Sequence, residues 1–195
     1  MSKKSSHFWL DFFACFLIPA YTLLFAGSVQ WFGTNFSVIA VTGPDHYRGF
    51  VYWGILAGGY FFVMLNRLAF RLPRRGERAG TRLLTVCAVL SLAYAVAIPY
   101  LPEYFPKYAA LHVFLAALAC VLLMLALLAT LLALRQAGPD RWARPLRAWG
   151  LIVLVCAVLF LIPGMVTSAL EVFFTISAAL LARGIWLLLN TDKYL

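Results

Sequence analysis

The sequence contains apolar runs that are long enough to cross a lipid bilayer, and this feature limits the fold more than any other. The hydrocarbon core of a bilayer is spanned by a helix of about 20 apolar residues. Six such runs are predicted, at 8–29, 49–70, 83–100, 108–134, 146–162 and 165–189. Charged residues make up 12% of the chain, against about 25% in soluble domains. We therefore predict an all-α, polytopic membrane protein, with six transmembrane helices in one domain over residues 1–195.

The distribution of Lys and Arg predicts the orientation of these helices. Basic residues are concentrated at the two ends of the chain and in the second and fourth connections: Lys3, Lys4, Arg71, Arg74, Arg75, Arg78, Arg82, Arg135, Arg141, Arg144, Arg147 and Lys193. The alternate connections carry only Arg48 and Lys107. Because cytoplasmic connections are enriched in basic residues, we predict cytoplasmic N- and C-termini in a cell (plasma or inner) membrane. The net charge of +9 is explained by this topology, so we expect no nucleic-acid partner.

The first predicted outward connection is unusually rich in hydrogen-bonding side chains. Its sequence, GTNFSVIAVTGPDHYRGF, covers residues 33–50 between two apolar runs. We predict that five of its residues line the mouth of an outward-facing ligand site: Asn35, Ser37, Asp45, His46 and Arg48. The Arg48 guanidinium is suited to a phosphate or carboxylate group. The alternative interpretation is a solvated turn, because TGPDHY contains residues that favour turns.

Two ionisable residues are predicted to lie within the apolar spans on the same side. Glu171 lies about six residues into the sixth predicted span, and His112 lies about one turn into the fourth. Ionisable groups in a membrane are costly and usually face the bundle interior with a partner. We therefore predict that both residues form the floor of the site below Asn35 or Ser37. The alternative is that each makes only structural hydrogen bonds between helices.

Other residues in the spans have simpler interpretations. Asp11 is expected to pair with Arg183 or Arg67, since all three are predicted toward the cytoplasmic side. Pro19 predicts a kink in the first span. Gly54 and Gly58 have the GxxxG spacing of a close helix crossing, which we expect within the bundle.

The cysteines and histidines do not form a recognisable metal or cofactor motif. The four cysteines are isolated within apolar runs and are expected to be small packing residues: Cys15, Cys87, Cys120 and Cys156. The sequence lacks HExxH, GxSxG, a Walker lysine loop and GxGxxG. We therefore predict no metal and no cofactor.

The order of these features resembles a six-helix family that includes the damage-regulated autophagy modulator, Sfk-type proteins and related bacterial proteins of unknown function. The resemblance is carried by NFSVI with Asn35 and Ser37, LH with His112, and LE with Glu171. Where many members have ISxxG, this chain has FSVIAVTG. The resemblance implies a six-helix fold and a role in the handling or organisation of membrane lipids, mostly without a defined reaction.

Three functions remain open at this point. The preferred one is a lipid-associated membrane protein whose polar site binds a lipid headgroup or a small ligand, with membrane lipids as partners. The second is a substrate-capture subunit of a multi-component transporter, although a clean AxxxA docking face is not found between Leu10 and Val29. The third is a membrane hydrolase or transferase with His112 and Glu171 as acid/base groups and Ser37 or water as nucleophile. We favour binding over catalysis.

Overall fold

The computed structural model describes residues 3–27 and 30–191, and this part of the chain folds into helices that include six long and apolar enough to span a membrane. The all-helical fold predicted from the sequence is confirmed for these residues, and the six long apolar helices support the predicted membrane class. The helices are α1 (Lys3–Phe12), α2 (Ile18–Ala26), α3 (Phe36–Ala40), α4 (Pro44–Phe70), α5 (Arg75–Ala97), α6 (Pro106–Ala137), α7 (Pro139–Leu161) and α8 (Ser168–Thr191).

The first span is continuous from Phe8 to Ala26 but changes its helical geometry near Pro19. A π-helical turn, Phe13–Leu17, joins α1 to α2, and the N–H of Ile18 donates to the carbonyl of Phe13. Pro19 has no N–H and its ring crowds the carbonyl four residues earlier. A local π turn is one way in which a helix absorbs such a defect, so the irregularity expected at Pro19 lies just before it.

The long helices form a closed bundle. Each of α4 to α7 packs against the next helix in the chain, and α8 returns to pack against α2 and α4. The Tyr60 hydroxyl donates to the carbonyl of Ala179 at 3.1 Å and joins α4 to α8 inside the bundle. We call the end that contains 30–43, 98–105 and 162–167 the loop end, and the end that contains 71–74 and Gly138 the arginine-rich end.

Three of the long helices begin at least five residues earlier than the sequence predicts. The helix expected from residue 49 begins at Pro44, the one expected from 83 begins at Arg75, and the one expected from 146 begins at Pro139. Proline is favoured in the first turn of a helix because its missing N–H would be unpaired there, and this applies to Pro44 and Pro139. The arginine-rich connections are therefore short, and most of their arginines lie within α5 and α7. Lys193, which the orientation prediction used, lies outside the described residues.

Asp11 and Arg183 pair where the sequence placed them. Arg183 Nε donates to Asp11 Oδ1 at 2.8 Å, and this bond ties α8 to α1. Lipid cannot solvate either charge, so each side chain stabilises the opposite charge of the other. The expected pairing of Asp11 with Arg183 is confirmed.

The GxxxG pair marks a close contact between α4 and α5, as predicted. A Cβ on Gly54 would lie 2.9 Å from Val96 Cγ2, and one on Gly58 would lie 3.3 Å from Leu92 Cδ2. A Cβ on Gly59 would meet nothing within 4 Å. Gly54 and Gly58 are therefore needed for close approach of the two helices, whereas Gly59 is not.

We expect Gly54→Ala to lower the free energy of unfolding by about 1–2 kcal/mol, because the added methyl overpacks the contact with Val96. Gly59→Ala is the matched control, and it should leave stability unchanged or raise it by up to about 1 kcal/mol through helix propensity. Val96→Ala should remove most of the penalty when it is combined with Gly54→Ala. Thermal unfolding in detergent, followed by tryptophan fluorescence, measures all four proteins. Equal destabilisation by the two glycine variants would contradict the close-approach assignment.

Candidate functional site: a short helix held between α6 and α8

The short helix α3 lies at the loop end between α2 and α4, and its first turn is fixed by its own sequence. Asn35 is extended, with φ −139° and ψ 169°, and its side-chain oxygen accepts the N–H of Val38 at 2.9 Å. Asparagine is among the best residues for this capping position. The cap starts a helix immediately after Asn35, and this places Ser37 on its first turn.

Phe36 fixes α3 to the bundle by burial. Its side chain is fully buried, and its ring packs edge-to-face on Phe25 of α2 and on Trp53 of α4, with centroid distances of 5.1 and 5.2 Å. Aromatic pairs in this arrangement contribute about 0.5–1.5 kcal/mol each beyond the burial of their area. The position of α3 is therefore set by apolar packing on one face, while its polar groups face α6 and α8.

Ser37 contacts the imidazole of His112. Ser37 Oγ lies 2.7 Å from His112 Nε2, and this contact joins α3 to α6. The His112 side chain is 2% exposed, so it faces the bundle interior rather than lipid, as predicted. Ser37 is half-buried.

The partners of the other ring nitrogen, Nδ1, determine whether Ser37 or His112 is the donor in their hydrogen bond. His112 Nδ1 lies 2.8 Å from the carbonyl oxygen of Ala95 and 2.8 Å from that of Ile98. Carbonyl oxygens only accept, so Nδ1 carries the hydrogen and donates to them. In a neutral imidazole the second nitrogen is then an acceptor. The Ser37 hydroxyl therefore donates to His112 Nε2.

The two carbonyls come from the end of α5. Ala95 lies in the last turn of α5, and Ile98 is its C-terminal capping residue. The last carbonyls of a helix lack the regular intrahelical hydrogen bond and can accept from a side chain. The end of α5 thus orients the imidazole.

Glu171 contacts the same short helix from α8. Its carboxylate oxygen Oε2 accepts the main-chain N–H of Phe36 at 2.6 Å. This N–H is one of the first-turn donors that a helix leaves without an internal partner. Glu171 therefore anchors α3 to α8, one residue before Ser37.

The segment before α3 and the start of α8 also pair with each other. The N–H of Ser168 donates to the carbonyl of Thr34 at 2.7 Å, and the N–H of Ala169 donates to that of Trp31 at 3.0 Å. The Asn35 amide approaches the carbonyl of Val166 at 3.4 Å. Together with the Glu171 bond, these contacts form a reciprocal clasp of residues 31–36 with residues 166–171, in which each segment satisfies main-chain groups of the other.

The remaining predicted site residues lie on α4 and make local contacts. The expectation that Asp45, His46 and Arg48 belong to a loop is wrong, because α4 begins at Pro44. Asp45 and Arg48 form an exposed pair at 3.4 Å with each other, and His46 Nδ1 lies 2.5 Å from Thr42 Oγ1. These contacts do not join them to His112 or Glu171. Asn35, Ser37, His112 and Glu171 thus form one group around α3, whereas Asp45, His46 and Arg48 form a separate exposed surface.

Several groups at the site are main-chain atoms that sequence reasoning did not identify. They are the N–H of Phe36 and the carbonyls of Ala95, Ile98, Trp31 and Thr34. The type of side chain at a position does not indicate whether its main-chain N–H or carbonyl will belong to a site. Among the described residues, no group of three or more His, Cys, Asp or Glu side chains is arranged to hold a metal ion.

Comparisons with protein-family models, with curated proteins and with solved structures find no match to this chain. The site must therefore be interpreted from its own geometry.

Proposed function

We propose that this chain is a membrane protein that binds the headgroup or ester region of a membrane lipid, or a small ligand of similar polarity, at the loop end of its bundle. The observation that supports it is the convergence on α3, where His112 of α6 contacts Ser37 and Glu171 of α8 contacts Phe36. Polar groups in an apolar span are costly and commonly mark a functional site. The alternative, a purely structural role, accounts for the same contacts and is separated by the experiment below.

The depth of these groups favours a lipid. His112 is the seventh residue of α6 and Glu171 the fourth of α8. At 1.5 Å per residue they lie about 9 Å and about 5 Å from the starts of their helices. A bilayer of about 40–45 Å with a hydrocarbon core of about 30 Å has interfacial regions only a few ångströms thick. The site is therefore expected at the boundary where glycerol esters and headgroups meet the hydrocarbon.

The exposed aromatic residues at the loop end support this depth. They are Trp31, Phe32, Tyr104, Phe105 and Tyr108. Aromatic side chains concentrate at the membrane–water interface. The bias of basic residues toward the opposite end favours an outward-facing site and cytoplasmic termini.

The family resemblance agrees with a lipid ligand. The Asn35/Ser37 element, His112 and Glu171, which carry the resemblance, are the residues that surround α3. We therefore propose membership of that six-helix family and a role in lipid handling. The second predicted function, a transporter subunit, has no comparable support from a specific contact.

Native mass spectrometry of the protein in mild detergent tests the proposal. We compare wild type with Glu171→Gln and with Asp45→Asn, which makes the same change on the exposed surface of α4. A lipid or small molecule should remain bound to wild type and to Asp45→Asn, and its occupancy should fall about tenfold in Glu171→Gln, as expected for one weakened hydrogen bond of about 1.5 kcal/mol.

Other outcomes would contradict this assignment. Loss of the ligand in Asp45→Asn alone would move the site to α4. The absence of any ligand from all three folded proteins would favour the structural role of His112 and Glu171. A stable co-purifying subunit would favour the transporter function.

A further inference from the structure

We infer that Ser37 is a nucleophile activated by His112, and that the chain transfers the acyl group of an ester located at the membrane interface. The inference rests on the lipid site proposed above and adds a reaction to it. Its basis is the pairing of a half-buried serine hydroxyl, 2.7 Å from Nε2, with a buried imidazole whose Nδ1 is held by two carbonyls.

The arrangement meets the requirements of a serine–histidine pair. Such a pair needs a hydroxyl that donates to an unprotonated ring nitrogen and a third group that fixes the tautomer and stabilises the imidazolium. The carbonyls of Ala95 and Ile98 serve as that third group, because both accept the hydrogen of Nδ1. No carboxylate is needed at Nδ1.

The reaction is balanced without a further reagent. Ser37 Oγ attacks the ester carbonyl carbon while its proton moves to His112 Nε2. Collapse of the tetrahedral adduct breaks the bond to the alcohol oxygen, which leaves with the proton from Nε2, and the acyl group remains on Oγ. Water or a second alcohol then attacks the acyl-serine as Nε2 takes its proton. Release of the acid or new ester returns that proton to Oγ.

Asn35 and Glu171 are positioning residues for this reaction. Asn35 caps α3 through Val38, and Glu171 holds the N–H of Phe36, so both fix the turn that carries Ser37. Glu171 is thereby assigned a different role from the acid/base group expected from the sequence. Its contact with the main chain is compatible with orientation of the nucleophile rather than proton transfer.

The position of Ser37 indicates the substrate class. Val38 and Val41, near Ser37 on and beside α3, are exposed apolar residues, and the site lies at the depth of the glycerol esters. A long-chain carboxylic ester can place its carbonyl at this depth while its chain stays in the hydrocarbon. We therefore assign an acyl ester of a membrane lipid as the acyl donor.

The chain contains a second hydroxyl–imidazole pair that serves as a control. Thr42 Oγ1 lies 2.5 Å from His46 Nδ1, but it also donates to the carbonyl of Ile39 at 2.7 Å and belongs to an exposed pair. A hydroxyl whose proton is given to a carbonyl is not activated by the imidazole. Thr42 should therefore be unreactive under conditions in which Ser37 reacts.

The test is covalent labelling of the full-length protein in detergent with octyl fluorophosphonate. Attack by Oγ forms an O–P bond and releases fluoride, so intact mass and peptide mapping identify the labelled residue. We expect one adduct, on Ser37, in wild type and in Thr42→Ala, and none in Ser37→Ala. Loss of the general base in His112→Gln should slow labelling at least about 100-fold.

Three results would overturn the inference: no adduct in folded wild type, equal labelling of Ser37→Ala, or labelling of folded His112→Gln within a few-fold of wild type. Thermal melting followed by tryptophan fluorescence verifies that each variant is folded. If His112→Gln does not fold, Ser37→Ala still tests the inference, because it removes only one hydroxyl. Lipid retained in native mass spectrometry without labelling of Ser37 would overturn the reaction and leave the binding function intact. Labelling without retained lipid would support the reaction and contradict stable binding.

Discussion

Replacement of His112 by Ala is expected to lower the free energy of unfolding by about 3 kcal/mol. The variant loses the donor to the carbonyls of Ala95 and Ile98 and the acceptor of the Ser37 hydroxyl. A buried polar group that is left without a partner costs about 1–3 kcal/mol, and the missing ring leaves a cavity that adds to this cost. Unfolding by SDS titration in mixed micelles, monitored by tryptophan fluorescence, gives the free energy.

His46→Ala is the matched control for this prediction. His46 is exposed and contacts Thr42 next to α4, so its loss should change stability by no more than about 0.5 kcal/mol. Ser37→Ala should be intermediate, at about 1 kcal/mol, because it removes one hydrogen bond. If His112→Ala and His46→Ala were equally stable, the contacts of His112 would not stabilise the bundle.

The second large effect is expected at the ion pair between Asp11 and Arg183. Asp11→Leu or Arg183→Met alone leaves one charge in an apolar span, which costs up to about 2.5–3.5 kcal/mol on insertion scales, the value for a charge at the helix centre. The double variant removes both charges, and it should be more stable than either single variant, because replacing both partners of a buried pair is often neutral. SDS titration of the four proteins completes a double-mutant cycle and measures the coupling.

The exposed pair of Asp45 and Arg48 provides the comparison for this cycle. Their side chains are 90% and 72% exposed, and solvent screens such pairs so that they contribute about 0–1 kcal/mol. Asp45→Asn should therefore have little effect on stability. Additive single effects at Asp11 and Arg183 would show that the two charges are solvated separately.

The sequence predicts the spans well because hydropathy acts over about 20 residues and tolerates local errors. It predicts their starts less well at Pro44, Arg75 and Pro139, since polar first turns of transmembrane helices extend beyond the hydrocarbon and have the same composition as loops. The pairing of Asp11 with Arg183 was predictable because a lone charge in lipid requires a partner.

Two of the four residues around α3 could be predicted from the sequence for the same reason. Glu171 and His112 stand out as ionisable residues in apolar runs. Asp45, His46 and Arg48 were grouped with them only because they are near in sequence to Asn35 and Ser37, and the helix at Pro44 separates the two sets. The main-chain partners of His112 and Glu171 depend on how α5 ends and how α3 begins, and residue identity does not encode these details.

The clasp between residues 31–36 and 166–171 has a consequence for synthesis. Its hydrogen bonds join residues up to 135 positions apart, so the loop end is incomplete until α8 has left the ribosome and entered the membrane. Before that moment the N–H of Phe36 and the carbonyl of Thr34 lack their partners, and unpaired main-chain groups are costly in an apolar environment. A nascent chain that stops before α8 would therefore hold five spans, and α3 would lack its hydrogen bonds to α8. The contacts of Glu171 with α3 should therefore form only after α8 has joined the bundle.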